Sequence, residues 1–284
     1  MRDDELRTST YVEDRRGMGG VARGGLGVGA VVLLTLIGWV TGIDPSLLIG
    51  GAEMVSSGDA PGQSAPGRGG APTDQVGTFV ARVLGETEDV WTQILPEQIG
   101  RQYTKPTMVL YSGLTNSGCG TAQASMGPFY CPLDSKLYLD TSFFQDMQRR
   151  LGGGGNFAYA YVIAHEVGHH VQNLVGLLPT VQEAKAHSDQ QRANGLSVRT
   201  ELMADCLAGV WAYHMNQRHS NVDDNDLRQA ASTAAAIGDD RLQKMGRGSV
   251  VPDSFTHGSS EQRVRWLSTG LRTGTVQACN TFAN

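Results

Sequence analysis

The spacing of apolar residues along the chain predicts a mostly helical body with two short strands. Helical periodicity marks the longer segments, whereas a short apolar run after Pro106 and one alternating segment mark the strands. The predicted helices cover 76–95, 141–151, 157–174, 197–215 and, as one or two helices, 224–245. The predicted strands cover 108–111 and 136–140. A last helix begins after Gly258, with Ser259 or Ser260 as its N-cap.

A continuous apolar segment occupies residues 24–43, which contain no charged side chain. As a helix, this segment would extend about 30 Å, the thickness of a bilayer core, and Trp39 would lie near one interface. A cleaved signal peptide or a buried core helix are the alternatives. The long polar stretch before residue 24 and the lack of a small-x-small cleavage site before Asp44 argue against a signal peptide. We therefore expect a single transmembrane helix.

The domain plan follows from this segment. Residues 1–23 contain five arginines, and the first basic residue after the apolar segment is Arg68. Basic residues stay on the cytoplasmic side, so the N terminus is predicted inside the cytoplasmic membrane and the body outside. Residues 44–74 are rich in Gly, Ser, Ala and Pro and predict a tether. The catalytic body is then expected over 75–284.

Four cysteines lie in the predicted body, and an even number in an exported domain favours disulfides. Cys119 and Cys131 bracket a loop that contains glycine and proline, so we expect them to pair, which leaves Cys206 with Cys279. Four buried free thiols are the alternative. The net charge of −5 and the absence of a basic run with aromatics exclude nucleic acid as an expected partner.

The pentad HEVGH at 165–169 carries the strongest chemical signal in the chain. On a helix, His165 and His169 lie on one face, so both imidazoles can bind the same metal ion. The H-E-x-x-H pattern is typical of zinc peptidases. Zinc lowers the pKa of a bound water to about 7, and Glu166 can accept its proton while hydroxide attacks a carbonyl.

Catalytic zinc needs a third protein ligand. The metzincin arrangement would place a histidine at position 175, but this residue is Val175, so that class is excluded. Glu201 lies on a later apolar helix, and Asp205 follows one turn later on the same face. We expect Glu201 as the third ligand and Asp205 as the acceptor for the outer N–H of a ligand imidazole. There are two alternatives. The two acids could form a buried salt bridge with an arginine such as Arg199, or Asp189 could be the third zinc ligand.

Five segments resemble the neutral zinc metallopeptidases of the bacterial YpfJ type: STYVEDRRG, SGCGTAQASMGPFYCPLDSKLYLD, HEVGHHVQ, ELMADCLAGVWA and FTHGSSEQRVRWLSTG. The resemblance covers nearly the whole chain. It implies a membrane-anchored, gluzincin-like hydrolase with one zinc ion per chain. At the matching positions of this chain, the resemblance implies that His165, His169 and Glu201 are the zinc ligands and that Glu166 is the general base.

His257 is the candidate for a further catalytic role. The segment Thr256-His257-Gly258, followed by Arg263, is similar to the T-H-P…R segment of other gluzincin-like peptidases. His257 could then donate a hydrogen bond to the oxyanion that forms on the attacked carbonyl. A histidine that only caps or packs at a helix start is an equal alternative.

These observations predict a mostly α (α+β), zincin-like metallopeptidase domain with a small β-sheet, preceded by one transmembrane helix. The expected function is zinc-dependent hydrolysis of peptide bonds in a peptide or protein substrate, with residues 24–43 in the lipid bilayer. A zinc-stabilised binding or scaffold protein of the envelope without significant turnover is the alternative. Hydrolysis of a non-peptide amide would use the same site.

Overall fold

The structure, a computed structural model, describes residues 1–17, 68–69, 72–150, 154–220 and 222–283. The strands are β1 Val12–Asp14, β2 Arg68–Gly69, β3 Thr107–Tyr111, β4 Leu114–Ser117, β5 Gly120–Gln123, β6 Phe129–Cys131 and β7 Lys136–Asp140. The helices are α1 Gln75–Ile99, α2 Phe143–Arg150, α3 Asn156–Leu174, α4 Leu177–Ala186, α5 Gln190–His219, α6 Asp224–Ala236, α7 Asp239–Arg247 and α8 Ser260–Thr273.

The predicted mostly helical fold with a small sheet is confirmed. Every helix predicted from periodicity is present, and the segment predicted as one or two helices forms α6 and α7. Ser259 is the N-cap of α8, where its hydroxyl accepts a hydrogen bond from the backbone N–H of Gln262. Strands β1, β2, β4, β5 and β6 were not predicted, because runs of two to four residues are too short to show an alternating pattern.

The main sheet has the strand order β2-β1-β3-β7-β6. β3 lies at its centre and is parallel to both β1 and β7, whereas β2 and β6 are antiparallel edge strands. Met108, Val109, Leu110 and Tyr111 of β3 are all buried, as expected for a central parallel strand that is covered on both faces. β4 and β5 form a separate hairpin.

Residues 1–15 form one unit with Arg68–Asn284. β1 pairs with β3 in the register Val12↔Met108, and Val12 is buried. Ahead of β1, the Ser9 hydroxyl and the Arg7 guanidinium both donate hydrogen bonds to the buried carboxylate of Glu88 on α1. The N-terminal segment is therefore part of the packed body.

These contacts correct the predicted membrane topology. Within the part of the chain that the structure describes, no helix has both the length and the apolar composition needed to cross a bilayer. The predicted transmembrane segment, 24–43, lies outside the described residues, as does most of the predicted tether, 44–74. The predicted single-pass arrangement, with the N terminus inside and the catalytic domain outside, is wrong. β1 and β3 are paired in one sheet, so the residues before and after the apolar segment lie on the same side of any membrane.

The arginines of the first 23 residues explain part of this error. They suggested a cytoplasmic flank, but Arg7 pairs with Glu88 and Asp89, and Arg15 pairs with Glu13. These charges are therefore used in contacts within the body. The body predicted over 75–284 consequently extends to the N-terminal fifteen residues and to β2.

Both predicted disulfides are present. Cys119–Cys131 joins the turn of the β4–β5 hairpin to the end of β6. Cys206–Cys279 joins α5 to the C-terminal segment that follows α8. α5 and α8 also approach at backbone distance, because a Cβ at Gly270 would lie 1.9 Å from the carbonyl oxygen of Cys206. These links fix the helix that carries part of the candidate site.

Substitution of Gly85 tests whether the N-terminal segment is docked on α1. A Cβ at Gly85 would lie 2.2 Å from the carbonyl oxygen of Arg7, so we expect Gly85→Ala to lower the free energy of unfolding by about 1–3 kcal/mol. Gly195→Ala is the matched control, because Gly195 lies in α5 with no atom near its Cβ position. There the better helix propensity of alanine should raise stability by about 0.5–1 kcal/mol. Urea unfolding measures the stability of both variants. Equal stabilisation by the two substitutions would show that the N-terminal segment is not packed on α1 at Gly85.

Candidate metal centre

Two buried helices position the candidate ligands. α3 carries His165, Glu166 and His169, whereas α5 carries the carboxylates predicted as ligand and supporting residue. The helices approach closely because Gly168 of the HEVGH pentad faces Ala204, where a Cβ on the glycine would lie 3.0 Å from the Ala204 carbonyl oxygen. A larger side chain at Gly168 would push α3 away from α5.

The three predicted ligands converge on one point. The Nε2 atom of His165 lies 3.1 Å from Oε2 of Glu201, and Nε2 of His169 lies 3.4 Å from Oε1 of the same carboxylate. One ligand atom from each residue lies within 4.8 Å of the other two. Two atoms that bind zinc at about 2.0–2.1 Å with a tetrahedral angle are about 3.3 Å apart, so this donor set fits zinc.

Hydrogen bonds at the outer nitrogens fix both imidazoles. Nδ1 of His165 donates to Oδ1 of Asp205 at 2.8 Å. Nδ1 of His169 donates to Oε1 of Gln172 at 2.9 Å, and the amide nitrogen of Gln172 donates to the Thr200 carbonyl at 2.7 Å. Because the proton of each imidazole is held on Nδ1, each Nε2 could direct its lone pair to a metal ion that displaces the proton shared with Glu201. The role of Gln172 was missed, although it lies one turn beyond His169.

Asp205 is fully buried and is paired with Arg263 of α8. Oδ2 accepts from Nε of Arg263 at 2.9 Å and Oδ1 accepts from Nη2 at 2.8 Å. Oδ1 also accepts from the Tyr161 hydroxyl at 2.6 Å. Burial would raise the pKa of Asp205, but Arg263 and His165 outweigh it and lower this pKa to about 2. The arginine that pairs here is Arg263 and not Arg199, which was the suggested partner.

The charges of the cluster favour a cation at its centre. Burial lowers the pKa of His165, but Asp205 and Glu201 oppose this effect and raise the pKa to about 10. Burial also lowers the pKa of His169, but the Glu201 carboxylate outweighs this effect and raises the pKa of that imidazole. Burial would also raise the pKa of Glu201, but the two imidazoles hold it well below its usual range. The two acids therefore stabilise positive charge here, whether protons or a metal dication carry it.

Glu166 differs from the other acids of the site. Its side chain is buried, and no hydrogen bond joins its carboxylate to another described residue. Burial raises the pKa of Glu166, and the charge of Glu201 adds to this effect, whereas His169 and His165 oppose it. The carboxylate faces the same cavity as the three candidate ligands, so it is available to exchange a proton there.

His257 lies at the same cavity, on the turn before α8. Asp239, at the start of α7, holds this turn by accepting hydrogen bonds from the backbone N–H groups of Thr256, His257 and Gly258. The His257 side chain is 52% exposed, and Nδ1 lies 3.3 Å from Oδ1 of Asp239. Partial burial lowers the pKa of His257, but Asp239 and Glu201 outweigh it and raise this pKa. The histidine does not cap α8, since Ser259 does.

The side chains of Asp189 and His170 are used in contacts away from the cluster. Asp189, the alternative ligand, is the N-cap of α5, where its side chain accepts a hydrogen bond from the backbone N–H of Arg192. His170 donates to the Thr104 carbonyl at 2.6 Å and accepts from the Tyr130 hydroxyl at 3.0 Å, so both its nitrogens are used away from the cluster. Among the described residues, one group of His, Cys, Asp and Glu has metal-binding geometry, and it is His165, His169 and Glu201.

The cluster opens into a cavity of about 930 Å³. The lining of the cavity includes residues of the 126–133 segment, which contains the edge strand β6, residues of α4, and Leu242 of α7. A volume of this size accepts several side chains of a bound chain, so access to the cluster is not limited to small molecules.

Comparisons with known proteins agree with this site. A family model described as "Putative neutral zinc metallopeptidase" matches residues 1–282. The Escherichia coli (strain K12) protein named "Uncharacterized protein YpfJ" is 44% identical over 291 residues, which cover 99% of each chain. The Mycobacterium tuberculosis (strain H37Rv) protein named "Uncharacterized protein Rv2575" is 46% identical over 204 residues, 68% of this chain and 66% of that protein. No solved structure matches this chain.

Loss of Arg263 should destabilise the site strongly. Arg263→Met keeps the approximate side-chain volume but leaves the buried Asp205 without its main counter-charge, so we expect the free energy of unfolding to fall by about 3–5 kcal/mol. Arg265→Met is the matched control on the same helix, because Arg265 is exposed and should change stability by no more than about 0.5 kcal/mol. Urea unfolding in the presence of a chelator measures both variants. Equal stability of the two would show that Asp205 does not depend on this pair.

Proposed function

Because the chain belongs to the neutral zinc metallopeptidase family, we propose that it hydrolyses peptide bonds at the cluster of His165, His169 and Glu201. Zinc is the cofactor of this family, and these three residues are the proposed ligands of one ion. The observation that carries the proposal is the convergence of three ligand atoms within 4.8 Å beside the buried carboxylate of Glu166, which accepts no hydrogen bond from another described residue.

Bound zinc would supply Lewis-acid polarisation of the scissile carbonyl and would acidify the attacking water. In the proposed reaction, Glu166 accepts a proton from this water and then passes it to the amine that leaves. Its raised pKa suits this exchange, since a base that must also act as an acid works best when its pKa is near the operating pH.

The surrounding residues keep the reacting groups in place. Asp205 and Gln172 hold His165 and His169 in the tautomer that presents Nε2 to the ion. We assign His257 the donation of a hydrogen bond to the negative oxygen that develops on the attacked carbonyl. Asp239 fixes the turn on which His257 lies, and its charge favours the protonated, donating imidazole.

Metal content tests the ligand set. The wild-type protein is expected to bind about one zinc ion per chain, and both His165→Ala and Glu201→Ala should lose it, because two protein ligands do not hold catalytic zinc. His187→Ala is the control, since His187 is exposed at the end of α4 and lies outside the cluster. Mass spectrometry of the intact metal complexes measures all four proteins. Retention of zinc by Glu201→Ala would show that Glu201 is not a zinc ligand and would contradict the proposed ligand set.

Two further substitutions separate the proposed chemical roles. Glu166→Gln should bind zinc normally and lose about 10²–10⁴-fold in turnover of a fluorescently labelled unfolded protein, because the base is removed. His257→Ala should also retain zinc, with turnover lowered by about 10²-fold through loss of oxyanion stabilisation. Unchanged turnover in either variant would refute the role assigned to that residue. Zinc loss in either would indicate a structural role instead.

A further inference from the structure

Beyond the metal cluster, the cavity is lined almost entirely by uncharged side chains. The candidate site contributes His165, His169, His257, Glu166, Glu201 and Arg263, and the Arg263 charge is used by Asp205. Among the other described residues that line the cavity, Lys185 of α4 is the single charged one. A substrate side chain in this cavity therefore meets an apolar environment over most of its surface.

The cavity is bordered by bulky apolar side chains that the body itself does not bury. Met126 and Leu133 border it on the side of β6 and are 56% and 78% exposed. Leu242 borders it on the side of α7 and is 39% exposed. Single exposed apolar residues are common on protein surfaces, but here three of them surround one cavity with a candidate catalytic centre. They lie where a bound chain would cover them.

Charge decides which side chains the cavity accepts. A charged side chain that enters the cavity loses hydration, and outside the candidate site the described lining offers it a single charged group, Lys185. A large apolar side chain loses unfavourable contact with water on both its own surface and the surface of the cavity. The cavity thus discriminates in favour of leucine- or phenylalanine-like side chains.

We propose that the substrate class is extended polypeptide with bulky apolar side chains next to the scissile bond, and that Met126, Leu133 and Leu242 determine this specificity. Folded proteins bury most side chains of this kind, so such segments are accessible chiefly in chains that are unfolded or not yet folded. The proposal rests on the proposed peptidase function, because the same cavity contains the metal cluster.

The first test uses the zinc-loaded full chain and quenched fluorescent peptides of equal length. The peptides differ only in the two central residues: Leu-Phe, Ser-Ser, Asp-Asp or Lys-Lys. We expect kcat/KM for the Leu-Phe peptide to exceed that of each other peptide by at least about tenfold, the discrimination typical of an apolar pocket. Equal cleavage of the four peptides would overturn the substrate class and leave the peptidase function intact.

Matched variants locate the discrimination in the cavity. Leu133→Ser and Leu242→Ser should each lower the preference for Leu-Phe over Ser-Ser by about three- to tenfold, with zinc content unchanged. Leu114→Ser and Met245→Ser are the controls, because these residues are 47% and 60% exposed but do not line the cavity. Met245 even shares α7 with Leu242. Equal effects in the variants and the controls would show that Leu133 and Leu242 do not determine the specificity.

A binding measurement separates failure of the proposal from failure of the function. Glu166→Gln with bound zinc is titrated with the same four peptides, labelled for fluorescence anisotropy. Tighter binding of the Leu-Phe peptide by at least about tenfold supports the apolar specificity independently of turnover. Equal affinities overturn it. If the zinc-loaded wild type cleaves no peptide, the proposed function fails, whereas the affinities still decide whether the cavity selects apolar side chains.

Discussion

The buried carboxylate of Asp205 is the constraint on which the arrangement of the candidate site depends. It accepts hydrogen bonds from His165 and Tyr161 of α3 and from Arg263 of α8, while it lies itself on α5. A carboxylate without access to water is stable only when its acceptor sites are used by donors and its charge is compensated. The three helices must therefore keep one relative position, and this position brings Glu201 to the two imidazoles.

Small residues let the helices approach to the distance that these hydrogen bonds require. Gly168 allows α3 to contact Ala204, and Gly209 lies against the carbonyl oxygen of Leu267 on α8. Cys206, next to Asp205, is bonded to Cys279 beyond the end of α8. Close backbone packing and the polar network thus depend on each other, since neither forms when the helices are farther apart.

The parts of the site that follow from local spacing could be predicted from the sequence. The four-residue interval of His165 and His169, and that of Glu201 and Asp205, each place two side chains on one helical face. The pairing of Asp205 with Arg263 could not be derived in this way, because 58 residues separate them. β1 could not be predicted for the same reason, because its three residues form a strand by pairing with β3, which lies far along the chain. Hydropathy and the count of basic residues placed the N-terminal residues and the body on opposite sides of a membrane, because neither pattern contains information on strand pairing.

The pairing of β1 with β2 has a consequence for how this chain tolerates changes in length. Asp14 and Arg68 are register partners in antiparallel strands, so the chain leaves the sheet and returns to it at adjacent backbone positions. A connection between two fixed neighbouring points can be lengthened at an entropic cost of only about 0.6 kcal/mol for each doubling. Any change in chain length between these strands that preserves the return at Arg68 leaves the register of β1 with β2 and β3 as it is.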